Sequence, residues 1–391
     1  MTKRPYQTAI VLLIFFCSFM VGQAQLPQLS EDAKISVLTC AAGDELYYAF
    51  GHSAFRVQDP KMGIDVVYNY GTFDFNRPNF YLNFAKGKLI YSLSRRRFDI
   101  FLYEYELEKR WVKEQILDLD QAEVNQLFQF FEKNYLPKNR DYLYDPLFNN
   151  CSTITADVLK NEFGEAITFD GDHLDKRYTF RQLVRQFIPI NSWGAFGIDL
   201  AWGSVVDRKA TVREHMFLPY YAMYQLRNTS KSGKPLVLRE REVLDYSERE
   251  QNGYFATSPL FWFLLLFLFV GIITYLDYTH KNRNRWLDMA LFLLSGLVGV
   301  FLLLLWFATD HVSTKYNFDV LWALPLNAIA AFYVFKRALP SWLPKYLWTA
   351  FALFGIMILL WIFGVQSFSP LTLILMAMLG LRYVLLIKAA K

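Results

Sequence analysis

Residues 147–154 read LFNNCSTI: two asparagines, a cysteine and two hydroxyl side chains between apolar flanks. An asparagine before a run that continues STITADVLKNEFG is a ready N-cap, so Asn149 or Asn150 starts a helix from about Cys151 to Phe163, with Gly164 as its stop. Cys151 then sits in the first helical turn. Partial positive charge and unpaired N–H groups there favour a thiolate, the nucleophilic form of cysteine. Three roles are open to this residue at this point: nucleophile, half of a disulfide with Cys40, or small buried hydrophobe.

A nucleophilic thiol needs a base. Of the five histidines, His280 lies in a basic loop, His173 and His215 read as loop or surface residues, and His311 falls near a membrane boundary. His52 differs, because GHSAFRVQ (51–58) and IDVVYNYGTF (64–73) are β-rich runs separated by DPKMG, the pattern of a hairpin, and His52 opens the first strand. An imidazole there takes the thiol proton and later returns it to a leaving group, the logic of covalent catalysis. The orienting third group is Asn69 on the facing strand, or Glu45 upstream. A one-residue slip across the turn would put Tyr68 or Tyr70 in place of Asn69.

Outward from these residues, DQAEVNQLFQFFEKNYL (120–136) has helical spacing and an acidic start, the mark of an amphipathic helix. LRNTSKSGKPLVLREREVLDYSERE (226–250) reads as a charged linker. The composition then changes. Apolar segments at about 258–276, 286–308, 320–335, 347–364 and 371–388 predict some five transmembrane helices, the third interrupted by Pro325 and Asn327. Asn327 inside an apolar span requires a partner and points to a helix contact or a substrate path. Lys281, Arg283, Arg285, Lys336, Arg337, Lys345, Lys388 and Lys391 all fall on one side, which the positive-inside rule makes cytoplasmic.

At the other end, residues 1–24 carry Lys3 and Arg4, an apolar stretch and small residues at Gly22 and Ala24, the form of a cleavable secretory signal, with an uncleaved anchor as the alternative. Phe16 before Cys17 is too bulky for lipoprotein processing. Both ends agree on a soluble domain, 25–253, exported ahead of a membrane domain, 254–391. The 391 residues are 54% hydrophobic with a net charge of +5, too modest to imply a nucleic-acid partner. No C-x-x-C or paired-histidine spacing suggests a metal site, and no cofactor is implied.

GHSAFRV on a strand, then VVYNYGTFDF, then NNCST opening a helix resembles the circularly permuted branch of the papain-like α+β fold, in which histidine precedes cysteine. NlpC-type peptidases are unpermuted relatives, and lecithin:retinol acyltransferase is a permuted one. More closely, GDELYYAFGHSAFRV, YNYGTFDF, YDPLFNNCSTITADVL, GIDLAWGSVVDRKAT, MFLPYY and TDHVSTKYNFDVLWALPLN together resemble the Lnb family of Bacteroidota.

That resemblance implies a lipoprotein N-acyltransferase of the inner membrane with a periplasmic catalytic domain. It moves a fatty acyl chain from a phospholipid to the α-amino group of a lipoprotein's lipidated N-terminal cysteine. By position, Cys151 is the implied nucleophile and His52 its base. The tetrahedral oxyanion has the Ser152 and Thr153 amides or the Asn150 side chain as candidate donors. Asp310 and His311, with Lys315 and Asn317, lie on the outer face, where they either bind a phosphate headgroup or acceptor amine or form a solvated loop. A membrane-anchored cysteine peptidase or amidase acting on cell-wall peptides also needs Cys and His, and a non-catalytic domain with a Cys40–Cys151 disulfide is a further alternative.

Overall fold

The computed structural model describes residues 27–247 and 254–390, so the expected signal segment lies outside the described residues. The soluble part is built on strands β1 (Lys34–Cys40), β2 (His52–Asp59), β3 (Ile64–Thr72), β4 (Ile90–Arg97), β5 (Val112–Leu117), β6 (Asp141–Leu143) and β10 (Val237–Leu244). They form one antiparallel sheet of order β10-β5-β1-β2-β3-β4-β6. β7 (Ile167–Phe169), β8 (Thr229–Lys231) and β9 (Lys234–Pro235) make a small second sheet. The helices of this part are α1 (Phe80–Ala85), α2 (Phe98–Leu107), α3 (Gln121–Tyr135), α4 (Cys151–Phe163), α5 (Phe180–Val184), α6 (Trp193–Ala201), α7 (Val212–His215) and α8 (Pro219–Arg227).

Strand alternation divides the core in two. Ile35, Val37, Phe55, Val57, Tyr68 and Tyr70 face α3 and α4, whereas Leu38, Cys40, Ala54 and Val67 face α2. The hairpin is the one read from GHSAFRVQ-DPKMG-IDVVYNYGTF, with Gly63 at φ 65° in its turn. α3 begins with a capping box in which Asp120 accepts from the Glu123 N–H and Glu123 reaches back.

The supposed linker is not one. Residues 237–244 add β10 to the sheet edge beside β5, with Arg241 bonded to Glu114 and Glu240 to Gln115. An edge strand tolerates charge on its solvent side, and VLREREVL therefore shows no apolar alternation in sequence.

In the membrane part, α9 (Pro259–His280), α10 (Arg285–Phe307), α12 (Leu343–Ile362) and α13 (Thr372–Ala389) are long and apolar enough to span. The segment expected as a span at 320–335 is instead broken: a 3-10 turn at Phe318–Leu321, an irregular stretch, then α11 (Asn327–Val334). It still runs between the two sides. Its start lies at the outer loop, and Val334, Phe335 and Lys336 accept at its end from Arg283 and Arg285 in the basic loop. The irregular backbone is covered by α10, where Gly296 and Gly299 let it approach so closely that a Cβ would lie 2.1 Å from Ala328 N and 1.9 Å from Ala323 O.

Asn327 resolves as a helix contact. Its side chain donates to Ser295 Oγ at 3.0 Å and accepts from Tyr346 Oη at 2.6 Å. Near the basic side, the fully buried Arg382 is neutralised by Asp288 and Asp277 at 2.8 and 2.9 Å.

Candidate active site

Asn150 begins α4 as an extended N-cap: its Oδ1 accepts from the Ser152 and Thr153 amides, both at 2.9 Å, and its N–H donates to Thr153 Oγ1 at 2.8 Å. The cap places Cys151 at the first helical residue. A second fastening holds that turn to the sheet, since Ser152 Oγ lies 2.8 Å from Ser53 Oγ on β2. Ser53 follows His52, so thiol and imidazole are brought together by neighbours that bond to each other.

The antiparallel register that pairs Phe55 with Tyr68 carries His52 toward Gly71 and Asn69. Asn69 Oδ1 accepts from His52 Nε2 at 2.6 Å, leaving Nδ1 as the ring nitrogen free to take the thiol proton. Gly71 makes room: its φ is 135°, and a Cβ there would stand 2.9 Å from His52 Cε1. Tyr68 and Tyr70 face the core, where Tyr68 bonds Glu132 and Tyr70 bonds Asn134, so neither replaces Asn69.

Electrostatics draw the pair toward a thiolate and an imidazolium. Burial pushes the Cys151 thiol up, but the His52 charge, a His52 hydrogen bond and bonds from the Ser53 backbone and Ser152 side chain outweigh it, leaving the thiol below its ordinary value. Burial pushes His52 down, yet the Cys151 charge and bonds to Cys151 and Asn69 prevail and hold it above the ordinary imidazole value. Thiolate and imidazolium therefore stabilise one another.

Several sequence-based candidates sit elsewhere. Glu45 is exposed before a 3-10 turn, and its bond in this region is its backbone carbonyl accepting from Tyr48. Asn150 is fully spent as a cap, because Nδ2 donates to Pro146 O at 2.7 Å and Phe217 O at 2.8 Å. The Ser152 and Thr153 N–H groups are claimed by the Asn150 side chain, and the cap does not take the Cys151 N–H. His215 is buried, not superficial, with Nδ1 2.7 Å from Thr211 O. Cys40 and Cys151 are both free thiols. Burial raises Cys40 to about 12, against a hydrogen bond to Tyr105 and the Arg110 charge.

Asp310 and His311 belong to the joint between the two parts. Asp310 N donates to Lys86 O at 2.9 Å and its carboxylate pairs with Lys88 at 3.5 Å, while His311 Nε2 lies 3.0 Å from Phe84 O. Asn317 donates to Leu200 O at 2.8 Å, Gly203 N to Ser313 O at 2.9 Å and Ser204 N to Tyr316 O at 3.0 Å. A Cβ on Gly203 would lie 1.8 Å from Lys315 O. Behind this contact, the fully buried Arg181 binds Asp199, Asp207 and the Trp202 and Gly203 carbonyls.

The sequence reading missed three tyrosines whose hydroxyls are pushed up by burial and then by the Cys151 charge: Tyr91, Tyr142 and Tyr144. Tyr91 stacks on Tyr144 with centroids 4.0 Å apart, and the Tyr142 hydroxyl is buried without a hydrogen-bond partner among the described residues. The tyrosines of DYLYDPLF (141–148) are the available signal; their convergence with Tyr91 depends on β4 pairing with β6. A cavity of about 860 Å3 adjoins the start of β2, lined by Cys40, Phe50, Gly51, Trp111, Phe187 and Tyr220 among others.

With these positions fixed, comparison with protein families gives two matches in tandem: the Lnb N-terminal periplasmic domain over residues 28–186 and the Lnb transmembrane domain over 249–391. The chain belongs to the Lnb family. No curated protein and no solved structure gave a match. The Lnb periplasmic match contains Cys151, His52 and Asn69, and the Lnb transmembrane match contains the docking loop 310–317. The stretch between the two matches holds α6 and Gly203, the soluble side of the joint. A membrane protein with a periplasmic domain follows from the four spanning helices and these two matches.

Proposed function

We propose that this chain is a phospholipid-dependent lipoprotein N-acyltransferase of the inner membrane. The observation that carries the reading is the Cys151–His52–Asn69 arrangement in a domain fastened to the outer ends of spanning helices. A nucleophile held there meets a diacyl lipid and a membrane-anchored acceptor without either leaving the bilayer.

In the first half-reaction, the Cys151 sulfur forms a bond to the ester carbonyl carbon of a phospholipid. The ester C–O bond breaks, and the departing alkoxide takes the proton from His52, giving a thioester and a lysophospholipid. In the second, the acceptor's α-amine attacks the thioester while His52 takes the amine proton. The C–S bond breaks, releasing an amide and restoring the thiolate–imidazolium pair. The Cys151 N–H and the unpartnered Tyr142 hydroxyl are the donors we assign to the two tetrahedral oxyanions.

The test is expression of the full chain in cells lacking their own N-acylating enzyme, followed by mass spectrometry of lipoprotein N-termini. Triacylated N-termini with wild type and diacylated ones with Cys151→Ala are expected. Identical products from both would refute the assigned nucleophile.

A further inference from the structure

A band of exposed apolar side chains lies beside the candidate site, on two segments pegged to the membrane part. One is α1 and its approach: Phe75, Tyr81, Leu82 and Phe84 are 54, 74, 50 and 57% exposed. The Lys86 carbonyl just beyond α1 accepts from Asp310, three residues past the end of α10, and Gly87 abuts His311 so closely that a Cβ would lie 2.7 Å from its N. The other is the start of α6. Trp193, half exposed, donates to Thr257 O at 2.9 Å and packs edge-on against Phe263 in the first turns of α9. Leu46, in the turn before β2, rests on Gly194 and is itself exposed with Tyr47. These residues thus stand at the level where α9 begins and α10 ends, which is the outer boundary of the hydrocarbon layer.

The band does not stop at the surface. Tyr47 meets Phe73 at 6.3 Å, Phe75 meets Phe80 at 5.0 Å, and both lead to Phe73, whose ring is 5.1 Å from Tyr91. Tyr91 stacks on Tyr144 and meets Tyr142 at 6.4 Å, and Tyr142 and Cys151 pack against the same core between the sheet and α4. Phe73 also lies two residues beyond Gly71, the glycine against which His52 rests. A row of rings therefore leads inward from the exposed band toward the thiol.

We infer that this band enters the outer leaflet and admits the acyl chain of a phospholipid along the aromatic row to Cys151. Resting on the acyl-transfer reading above, it adds where the donor enters and which side chains receive it. Aromatic and leucine side chains suit this place because they bury an apolar body at the interface, and exposed Lys86 at the edge of α1 suits the anionic headgroup. The joint is what gives the band its depth: with Asp310, His311 and Gly87 in contact, α1 cannot rise from the membrane independently of α10.

The full chain in vesicles of phosphatidylethanolamine and phosphatidylglycerol, doped with a phospholipid carrying a diazirine in its acyl chain, tests this directly. After irradiation, lipid adducts are expected on the peptides containing Tyr47, Phe75 and Tyr81–Phe84 as well as on the spanning helices. Adducts confined to the spanning helices would overturn the inference, as would crosslinking of these peptides to an added lipoprotein acceptor but never to the lipid. In parallel, a Tyr81→Ser, Leu82→Ser, Phe84→Ser triple variant should release lysophospholipid from vesicles roughly tenfold more slowly or worse, with Cys151 alkylation by iodoacetamide unchanged. Equal release by variant and wild type would also overturn it. Wild type that forms the adducts but releases no lysophospholipid would sink the acyl-transfer reading alone and leave the lipid-facing band standing.

Discussion

Replacing Asn69 by alanine removes the acceptor of the His52 Nε2–H bond, 2.6 Å long and made to a ring that is charged when Cys151 is a thiolate. Hydrogen bonds to charged groups are worth about 1.5–3 kcal/mol, so at 1.4 kcal/mol per decade the variant should lose roughly 10- to 150-fold in kcat/KM at neutral pH. The pH profile carries a sign that a mere folding defect would not reproduce. The bond favours imidazolium, so its loss lowers the His52 pKa. The ion pair then persists over a narrower range, and the alkaline limb of kcat/KM moves to lower pH. The assay is lysophospholipid release from vesicles across pH, with thermal unfolding measured alongside. Asn69→Asp, which restores an acceptor oxygen, should recover much of the rate, and Glu45→Gln should behave as wild type because the Glu45 side chain is exposed. An Asn69→Ala enzyme within about threefold of wild type, with an unmoved alkaline limb, would refute the orienting role, since that is less than 0.7 kcal/mol by the same conversion.

Iodoacetamide should modify Cys151 in the folded protein at lower pH than an ordinary thiol, because its pKa is depressed by His52, whereas Cys40, raised to about 12, should react only after unfolding; mass spectrometry of the labelled peptides separates the two. Tyr142→Phe should cut kcat by about 10²- to 10³-fold if its hydroxyl meets the oxyanion, while leaving the unfolding temperature unchanged, since that hydroxyl has no partner to lose. Gly203→Ala drives a methyl group to within 1.8 Å of Lys315 O and should loosen the joint at a cost of about 1–3 kcal/mol or more, read as faster proteolysis between the two parts and slower use of vesicle phospholipid with Cys151 alkylation intact.

The parts of the fold that were legible in the sequence are those with local causes. The Cys151–Phe163 helix follows from Asn150 before it and Gly164 after it, and the β2–β3 hairpin follows from a Pro-Gly turn between two alternating runs. β10 was illegible because nothing in VLREREVL records that Glu114 and Gln115 await it on β5. The segment at 318–334 was legible as a crossing interrupted by Pro325 and Asn327, but the closeness of its packing was not. Its apolar composition is that of a span, but the features permitting irregular backbone, Gly296 and Gly299, belong to α10.

The site divides along the same line. Cys151 and His52 announce themselves through a helix start and a strand start, whereas the choice between Asn69 and Glu45 required the register of β2 on β3, which one residue of slip would change. Asp310 and His311 show how much polarity alone leaves open. Placed at the outer face of a membrane domain, they have the chemistry to bind a headgroup or an amine, yet the structure gives their donors and acceptors to Lys86, Lys88 and Phe84. The strings GIDLAWGSVVDRKAT and TDHVSTKYNFDVLWALPLN acquire their meaning together: the first presents Leu200, Gly203 and Ser204, and the second answers with Asn317, Ser313 and Tyr316. These polar residues hold a soluble nucleophile at a fixed height above the hydrocarbon. In the proposed reaction, recognition of the lipid then falls to apolar side chains such as Leu82 and Phe84, which sequence polarity gives no reason to single out.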